Sequence, residues 1–368
     1  MPAGSWNEIA RMTGCGLAVA AVAAPVGAGC WLVARRAGEP ILARVRPWRV
    51  PWTGWEVVLA FLMLTAVVPA FTFQALEQFG FYTRLYGPDF PPAPAARGPR
   101  VEAAAAVAGA AAAAVAHERQ EELRDLRDLW AGAVALPFQL ALLVVARRTL
   151  YPGWPGPTGR PSVAAGVALA VLAWAVLTPL VLGFNRAVIE LSARLGSPPE
   201  EHPLVKLAGL RPALDQGLFV FRACVAAPLV EEILFRGLLL PWLLGRRWRV
   251  WPALAVGVLL AGYVSHPSGE SALALLARGP VLFAVGLAAG YGLLALRARR
   301  KRRTVGAVYV SAAVFAAVHS GVWPSPVPLF VLGLGLGWLA VRTRGVLVPA
   351  VVHGLFNTVS ALFVLSSG

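Results

Sequence analysis

Apolar residues run along this chain in long blocks. Ten blocks, at about 13–34, 54–74, 129–146, 163–185, 214–244, 251–265, 280–296, 304–319, 326–341 and 346–366, are divided by short polar stretches. Several approach or exceed the ~20 residues that a helix needs to cross a bilayer. The pattern predicts an all-α fold, a polytopic transmembrane helix bundle of about ten spans. Two longer polar segments interrupt it. In 75–128 the Pro-rich PDFPPAPAARGPR precedes an Ala-rich run, 103–117, and then HERQEELRDLRD; 186–213 contains SPPEEHP. The Ala run favours helix but reaches only ~23 Å, which predicts an external or interfacial helix and not an eleventh span. The interleaved charges after it predict a solvated helix face.

Composition agrees with the blocks. Of 368 residues, 58% are hydrophobic and 14% charged, and the mean hydropathy is +0.67. The net charge of +15 would suit nucleic acid if it were spread evenly, but it is not. The short loops 35–53, 147–162, 245–250, 297–303 and 342–345 hold 19 Lys and Arg against the single acid Glu39, whereas the segments on the other side hold 12 against 13 acids. That is the positive-inside pattern for a cell-membrane protein with its N-terminus outside and its short basic loops cytoplasmic. The run RARRKRR at 297–303 is then a topogenic signal beside anionic lipid, and no nucleic-acid partner is implied. The first block resembles a signal peptide in length. However, only Arg11 precedes it while Arg35 and Arg36 follow, which suits an uncleaved span. Cys15, Cys30 and Cys224 lie in apolar blocks without metal-type spacing and read as packing residues. Gly286, Gly290, Gly292 and the glycines of GLGLG (333–337) follow no strand, and they predict close helix packing instead of phosphate binding.

Against this background VEEILFRG (230–237) stands out, because an ionisable group at bilayer depth costs at least ~2.5–3.5 kcal/mol. Glu231 and Glu232 are the acids well inside a block. Glu232 and Arg236 share a helix face at i and i+4, which predicts a structural ion pair, while Glu231 points about 100° away and is free to act as a base. His353 and Asn357 repeat that spacing, presenting an imidazole and an amide to one side, and so do Phe315 and His319. Counted at helical rise from the basic loops, Glu231 and His319 lie ~21 and ~22 Å deep, Asn357 ~17 Å and His353 ~11 Å. Spans of opposite direction thus bring these groups to one broad layer. A carboxylate and an imidazole can activate a water, and a second imidazole with an amide can donate to an oxyanion. Glu and His can equally ligate a divalent metal, zinc for example, although HExxH is absent. No Ser or Cys stands where a covalent nucleophile is needed.

Three motifs resemble those of the CAAX-protease and bacteriocin-processing family of intramembrane proteases, which includes the Ras-converting CAAX endopeptidase. EEILFRG is similar to the motif EExxxR, FAAVH (315–319) to FxxxH, and Pro349, His353 and Asn357 to PxxxHxxxN. The resemblance covers about 214–363. It implies an endopeptidase, metal- or glutamate-dependent, that cleaves a membrane-tethered and possibly prenylated peptide. Glu231 and His319 would activate water, His353 and Asn357 would donate to the oxyanion, and Glu232 and Arg236 would support them. The chain then divides into an N-terminal transmembrane region, 1–212, with four spans and the outer loop 75–128, and a catalytic domain, 213–368. The second motif follows the first at unusual distance, which implies an inserted helix pair at about 251–296. His266, 34 residues after Glu232, is a rival to His319, but Gly262 stands where Phe is expected. A family member acting as a membrane scaffold or immunity factor is the alternative function. An ion-coupled transporter is a further one that the lack of an inverted repeat disfavours.

Overall fold

A computed structural model describes residues 4–38, 50–88, 90, 110–194, 213–265, 278–297 and 303–366. Among these residues the fold is helical: α1 (Gly4–Arg36), α2 (Gly54–Gln78), α3 (Phe81–Tyr86), α4 (Ala110–Leu150), α5 (Val163–Arg194), α6 (213–245), α7 (Val250–Val264), α8 (Gly279–Arg297), α9 (Arg303–Ala317), α10 (Pro326–Thr343) and α11 (Leu347–Leu365). Each predicted apolar block falls within one helix, to within one or two residues at its ends. Six helices, within α1, α2, α4, α5, α10 and α11, are long and apolar enough to cross a membrane, while α7 and most of α8 and α9 are apolar but shorter. α6 carries Arg222, Glu231, Glu232 and Arg236, and two π segments interrupt it.

The segment 75–128 departs from its prediction as one outer loop. α2 continues to Gln78, and α3 follows through Gly80, whose φ of 61° is open to glycine. Ala110–Ala116 do not form a separate external helix. No Gly or Pro separates them from the apolar block, so the helix propagates as the 41-residue α4; 101–109 lie outside the described residues. Nor is the charged stretch a uniformly solvated face. Arg127 is 2% exposed, its Nε lies 2.6 Å from Glu77 Oε1, and its guanidinium sits over Phe90 at 4.8 Å. Tyr86 joins the same packing, donating to Asp215 and accepting from Trp130 Nε1 at 2.8 Å. Burial and the Asp215 hydrogen bond both raise the Tyr86 phenol above its ordinary range.

Small residues set the approach of the central helices. A Cβ on Gly333 would stand 3.1 Å from Ala312 of α9, and one on Gly337 3.1 Å from Val308. On the opposite side, a Cβ on Gly335 would stand 2.8 Å from Leu177 of α5. The alternation in GLGLG therefore lets α10 press against two neighbours, as the sequence suggests. Gly286 meets nothing within 4 Å and takes no part in such packing.

π segments occur at Met63–Val67, Arg222–Ala226 and Ile233–Leu239. Widening a helical turn loosens the backbone ladder, and in an apolar setting each released carbonyl needs a donor. Neighbouring side chains provide them. Gln139 Nε2 reaches Leu64 O at 2.6 Å, Asn357 Nδ2 reaches Ala223 O at 2.8 Å, and Trp52 Nε1 reaches Leu238 O at 3.1 Å. Replacing Gln139 by Leu keeps the volume and strips the donor from Leu64 O. We expect a loss of ~1–3 kcal/mol, the penalty of a buried unpaired polar group, read as a lowered unfolding midpoint of the purified protein.

Candidate active site

α6, the turn after α9, and α11 bring the predicted residues together. Glu231 and Glu232 close an α-helical stretch, Ala227–Glu232, and Arg236 lies in the π segment that follows. As the spacing predicts, adjacent glutamates face different ways. Glu232 points into the protein with 0% of its side chain exposed, while Glu231 retains 28%.

The buried half is tightly paired. Glu232 Oε1 accepts from Arg236 Nη1 at 2.9 Å and from His353 Nδ1 at 3.0 Å. Arg236 Nη2 donates to Gly333 O at 3.2 Å, and its guanidinium lies 4.5 Å from the centre of the Phe315 ring. Phe315 is fully buried. The same ring packs against His319 at 4.8 Å and edge-on to His353 at 5.7 Å. The phenylalanine of the second motif thus aligns both imidazoles and covers the arginine of the first, a role that spacing alone did not assign.

The open half faces a cavity. His319 lies just beyond the end of α9, held by its backbone N–H on Ala316 O at 3.0 Å. Its Nδ1 stands 2.7 Å from Phe315 O. A carbonyl only accepts, so Nδ1 carries the proton and Nε2 offers a lone pair. Glu231 Oε2 lies 3.9 Å from His319 Nε2 and 3.9 Å from His353 Nε2. These gaps are too long for direct hydrogen bonds and suit one water held between the three atoms. Two carboxylates share the cluster with one guanidinium, so formal charge balances when one imidazole is protonated. Glu231 and His319 line the wall of a cavity of about 1820 Å³, bounded largely by apolar side chains of α2, α4, α6, α7 and α9.

Asn357 has a partner that its spacing from His353 did not predict. Its Nδ2 donates to Ala223 O in the first π segment of α6, leaving one N–H uncommitted. One turn earlier, a Cβ on Gly354 would stand 2.4 Å from Cys224 O. α11 therefore grips α6 at two successive carbonyls, through an amide and through a missing side chain. Gly354, Gly333 and Ser311, whose Oγ donates to Phe235 O at 3.3 Å, were not singled out by sequence reasoning for the site. Each of these contacts runs through a main-chain carbonyl, which leaves no sequence signal. His266 lies outside the described residues.

Tetrahedral zinc with bonds of ~2.0–2.1 Å holds its ligand atoms ~3.3 Å apart. Here both separations from Glu231 are 3.9 Å, and among the described residues no three His, Cys, Asp or Glu side chains gather as a metal-binding group. As arranged here, these donors do not meet the spacing of a tetrahedral zinc site.

Residues 213–301 and 289–359 match the family described as type II CAAX prenyl endopeptidase Rce1-like. The matched stretch contains all six predicted site residues and leaves 1–212 outside. No curated protein matches the chain, and no solved structure does.

The paired core gives a stability prediction. Arg236→Met leaves Glu232 buried with His353 as its remaining partner. We expect a loss of ~3–5 kcal/mol, the usual penalty for orphaning a buried charge, and a smaller loss in the double variant Glu232→Gln/Arg236→Met. Thermal unfolding of the three proteins in one detergent measures the difference.

Proposed function

The chain belongs, through residues 213–359, to the Rce1-like family of CAAX-type intramembrane endopeptidases, and we propose that it hydrolyses a peptide bond of a membrane-tethered substrate at Glu231 and His319. The observation that carries this reading is the convergence of Glu231 Oε2 with two imidazole nitrogens, each at 3.9 Å, on the wall of a large apolar cavity.

A water between Glu231 and His319 passes one proton to the Glu231 carboxylate and keeps the other, which it hydrogen-bonds to the His319 Nε2 lone pair. Its oxygen then attacks the scissile carbonyl. The carbonyl becomes an oxyanion, which accepts from His353 Nε2–H when that imidazole is doubly protonated and from the second N–H of Asn357. Glu232 receives the Nδ1 proton of His353 in a hydrogen bond, stabilising the imidazolium. Collapse of the intermediate breaks the C–N bond, and Glu231 returns its proton to the departing amine. Products are a carboxylic acid, which passes its proton to the amine to leave a carboxylate and an ammonium group, with Glu231 restored. Arg236 balances Glu232 and so keeps the second glutamate out of the reaction.

The dimensions of the cavity support a substrate with a lipid anchor. At about 1820 Å³ it exceeds the ~300–1,000 Å³ of drug-sized ligand pockets and is lined mainly by carbon. In the proposed arrangement the protein crosses the cell membrane about ten times with its N-terminus outside. Residues 213–368 form the catalytic domain and 1–212 an N-terminal transmembrane region. The pair α7–α8 is the insertion that separates the first motif from the second while preserving the direction of α9, and α7 adds Pro252, Val256 and Leu260 to the cavity wall.

The test is cleavage of prenylated and unprenylated membrane-tethered peptides by the purified protein. Glu231→Ala and His319→Ala each lower turnover by on the order of 10²–10⁴ with folding retained. Unchanged turnover in both removes the mechanism, and loss confined to His266→Ala transfers the imidazole role to that residue. Chelator treatment leaves the rate unchanged if the carboxylate acts alone; loss restored by added zinc reverses that assignment.

A further inference from the structure

Away from the cavity, arginines converge where α4, α5 and α10 end or begin. The loop 151–162 joins α4 to α5, two helices long and apolar enough to cross a membrane, so it lies at the level of phospholipid headgroups. Leu150 and Val163, both exposed at its two ends, continue the apolar surface of those helices. Opposite the loop is the turn 344–346 between α10 and α11. Together 147–162 and 342–345 contain five arginines and no Asp or Glu. Glu56 of α2 meets the loop at Tyr151, and its other oxygen accepts from Thr53 N–H.

Main-chain carbonyls fix three of these side chains. Arg147 Nη2 donates to Trp154 O at 3.0 Å, Arg160 Nε to Arg344 O at 3.1 Å, and Arg344 Nη1 to Thr158 O at 2.7 Å. Carbonyl acceptors orient the cations but carry no net charge to cancel theirs. The loop turns at Gly156, whose φ of 74° favours glycine. A Cβ there would stand 3.8 Å from Arg160 Nη2 and 3.9 Å from Arg147 Nη2, so both guanidinium groups border one point on the loop. Partial burial and the Arg147 charge push the Arg160 guanidinium below its ordinary value.

Chemistry identifies the ligand. Guanidinium groups bind phosphate through paired N–H donors, and two that border one point can take different oxygens of a single tetrahedral anion. Repulsion between the two cations is then replaced by attraction to a shared charge. We propose that Arg147 and Arg160, with Arg344 bracing the loop from the α10–α11 turn, form a binding site for a phosphate group that carries net negative charge. The setting favours an anionic phospholipid headgroup as its source. Leu150 and Val163 present apolar surface beside it, and Tyr151 and Trp154 both pack edge-on against Trp52 as an interfacial aromatic cluster. This site is separate from Glu231 and His319 and does not depend on the peptidase reading.

The full-length protein, freed of lipid in a neutral detergent, is titrated with phosphatidylglycerol and with phosphatidylcholine, and bound lipid is counted by native mass spectrometry. Phosphatidylglycerol is expected to bind tighter by about tenfold or more, because the choline ammonium cancels the phosphate charge of the other lipid. Arg160→Gln and Arg147→Gln each lower that affinity by about 10–100-fold, the scale of one charge-assisted contact, and either serves if the other does not fold. Arg148→Gln removes the same charge from a side chain ~100° further around α4 and leaves the affinity unchanged. Inorganic phosphate as competitor distinguishes the sources. Displacement of the lipid assigns the site to phosphate itself, free or esterified, and persistence of lipid binding assigns it to the headgroup with its chains. Equal affinity for the two lipids overturns the site. So do equal losses in Arg148→Gln and Arg160→Gln, which leave only diffuse attraction between basic loops and an anionic membrane.

Discussion

A carboxylate withdrawn completely from solvent is the constraint around which this protein's core is arranged. One oxygen of Glu232 accepts from both Arg236 and His353, and none of these side chains is more than marginally exposed. Desolvating the ion pair costs several kcal/mol per charge, and attraction offsets that only if the remaining donors are met. Three other helices supply part of this, while Arg236 Nε and Glu232 Oε2 stay buried without a hydrogen-bond partner. Arg236 reaches the carbonyl of Gly333 on α10 and the ring of Phe315 on α9, while His353 enters from α11. Moving any of these helices away would leave a buried charge uncovered. The ion pair therefore dictates where α9, α10 and α11 sit relative to α6.

The reactive half follows from the buried half. Glu231 is adjacent to Glu232, and a helical step of ~100° turns it from the sealed interior to the cavity wall. His353 links the two. Its Nδ1 belongs to the structural carboxylate and its Nε2 faces the reactive one. Phe315 serves both in the same way, covering Arg236 and packing at a tilt against His319. Rigid support and chemistry are thus carried by the same few side chains, which positions the reacting groups without a flexible loop other than the single turn that holds His319.

The π segments of α6 contribute a second kind of order. They widen the helix above and below the glutamates, and they expose carbonyls that other helices then hold. Asn357 and Gly354 grip Ala223 and Cys224, and Trp52 of the segment before α2 reaches Leu238. Each contact pins α6 against a neighbour at a point where its own ladder is loosened. Arg222, in the upper π turn, lines the same cavity as Ala226, Val230 and Glu231.

Much of this was legible without coordinates. Apolar block length set the helices, and i to i+4 spacing established that Glu232 pairs with Arg236 while Glu231 turns away, because period alone decides which residues share a face of one helix. The three motifs, in order, pointed to the family. What period cannot report is the surroundings of a face. The charges after the Ala run read as solvated, yet Arg127 is buried beneath α3 and paired with Glu77 from α2. Asn357 shared a face with His353 but turned to a carbonyl that only a π turn makes available. The cavity, and the place of Arg222 within it, arise where helices distant in sequence fail to close against one another. Helix formation and facing are local properties of the chain, whereas desolvation, released carbonyls and empty space are created only when separate helices meet.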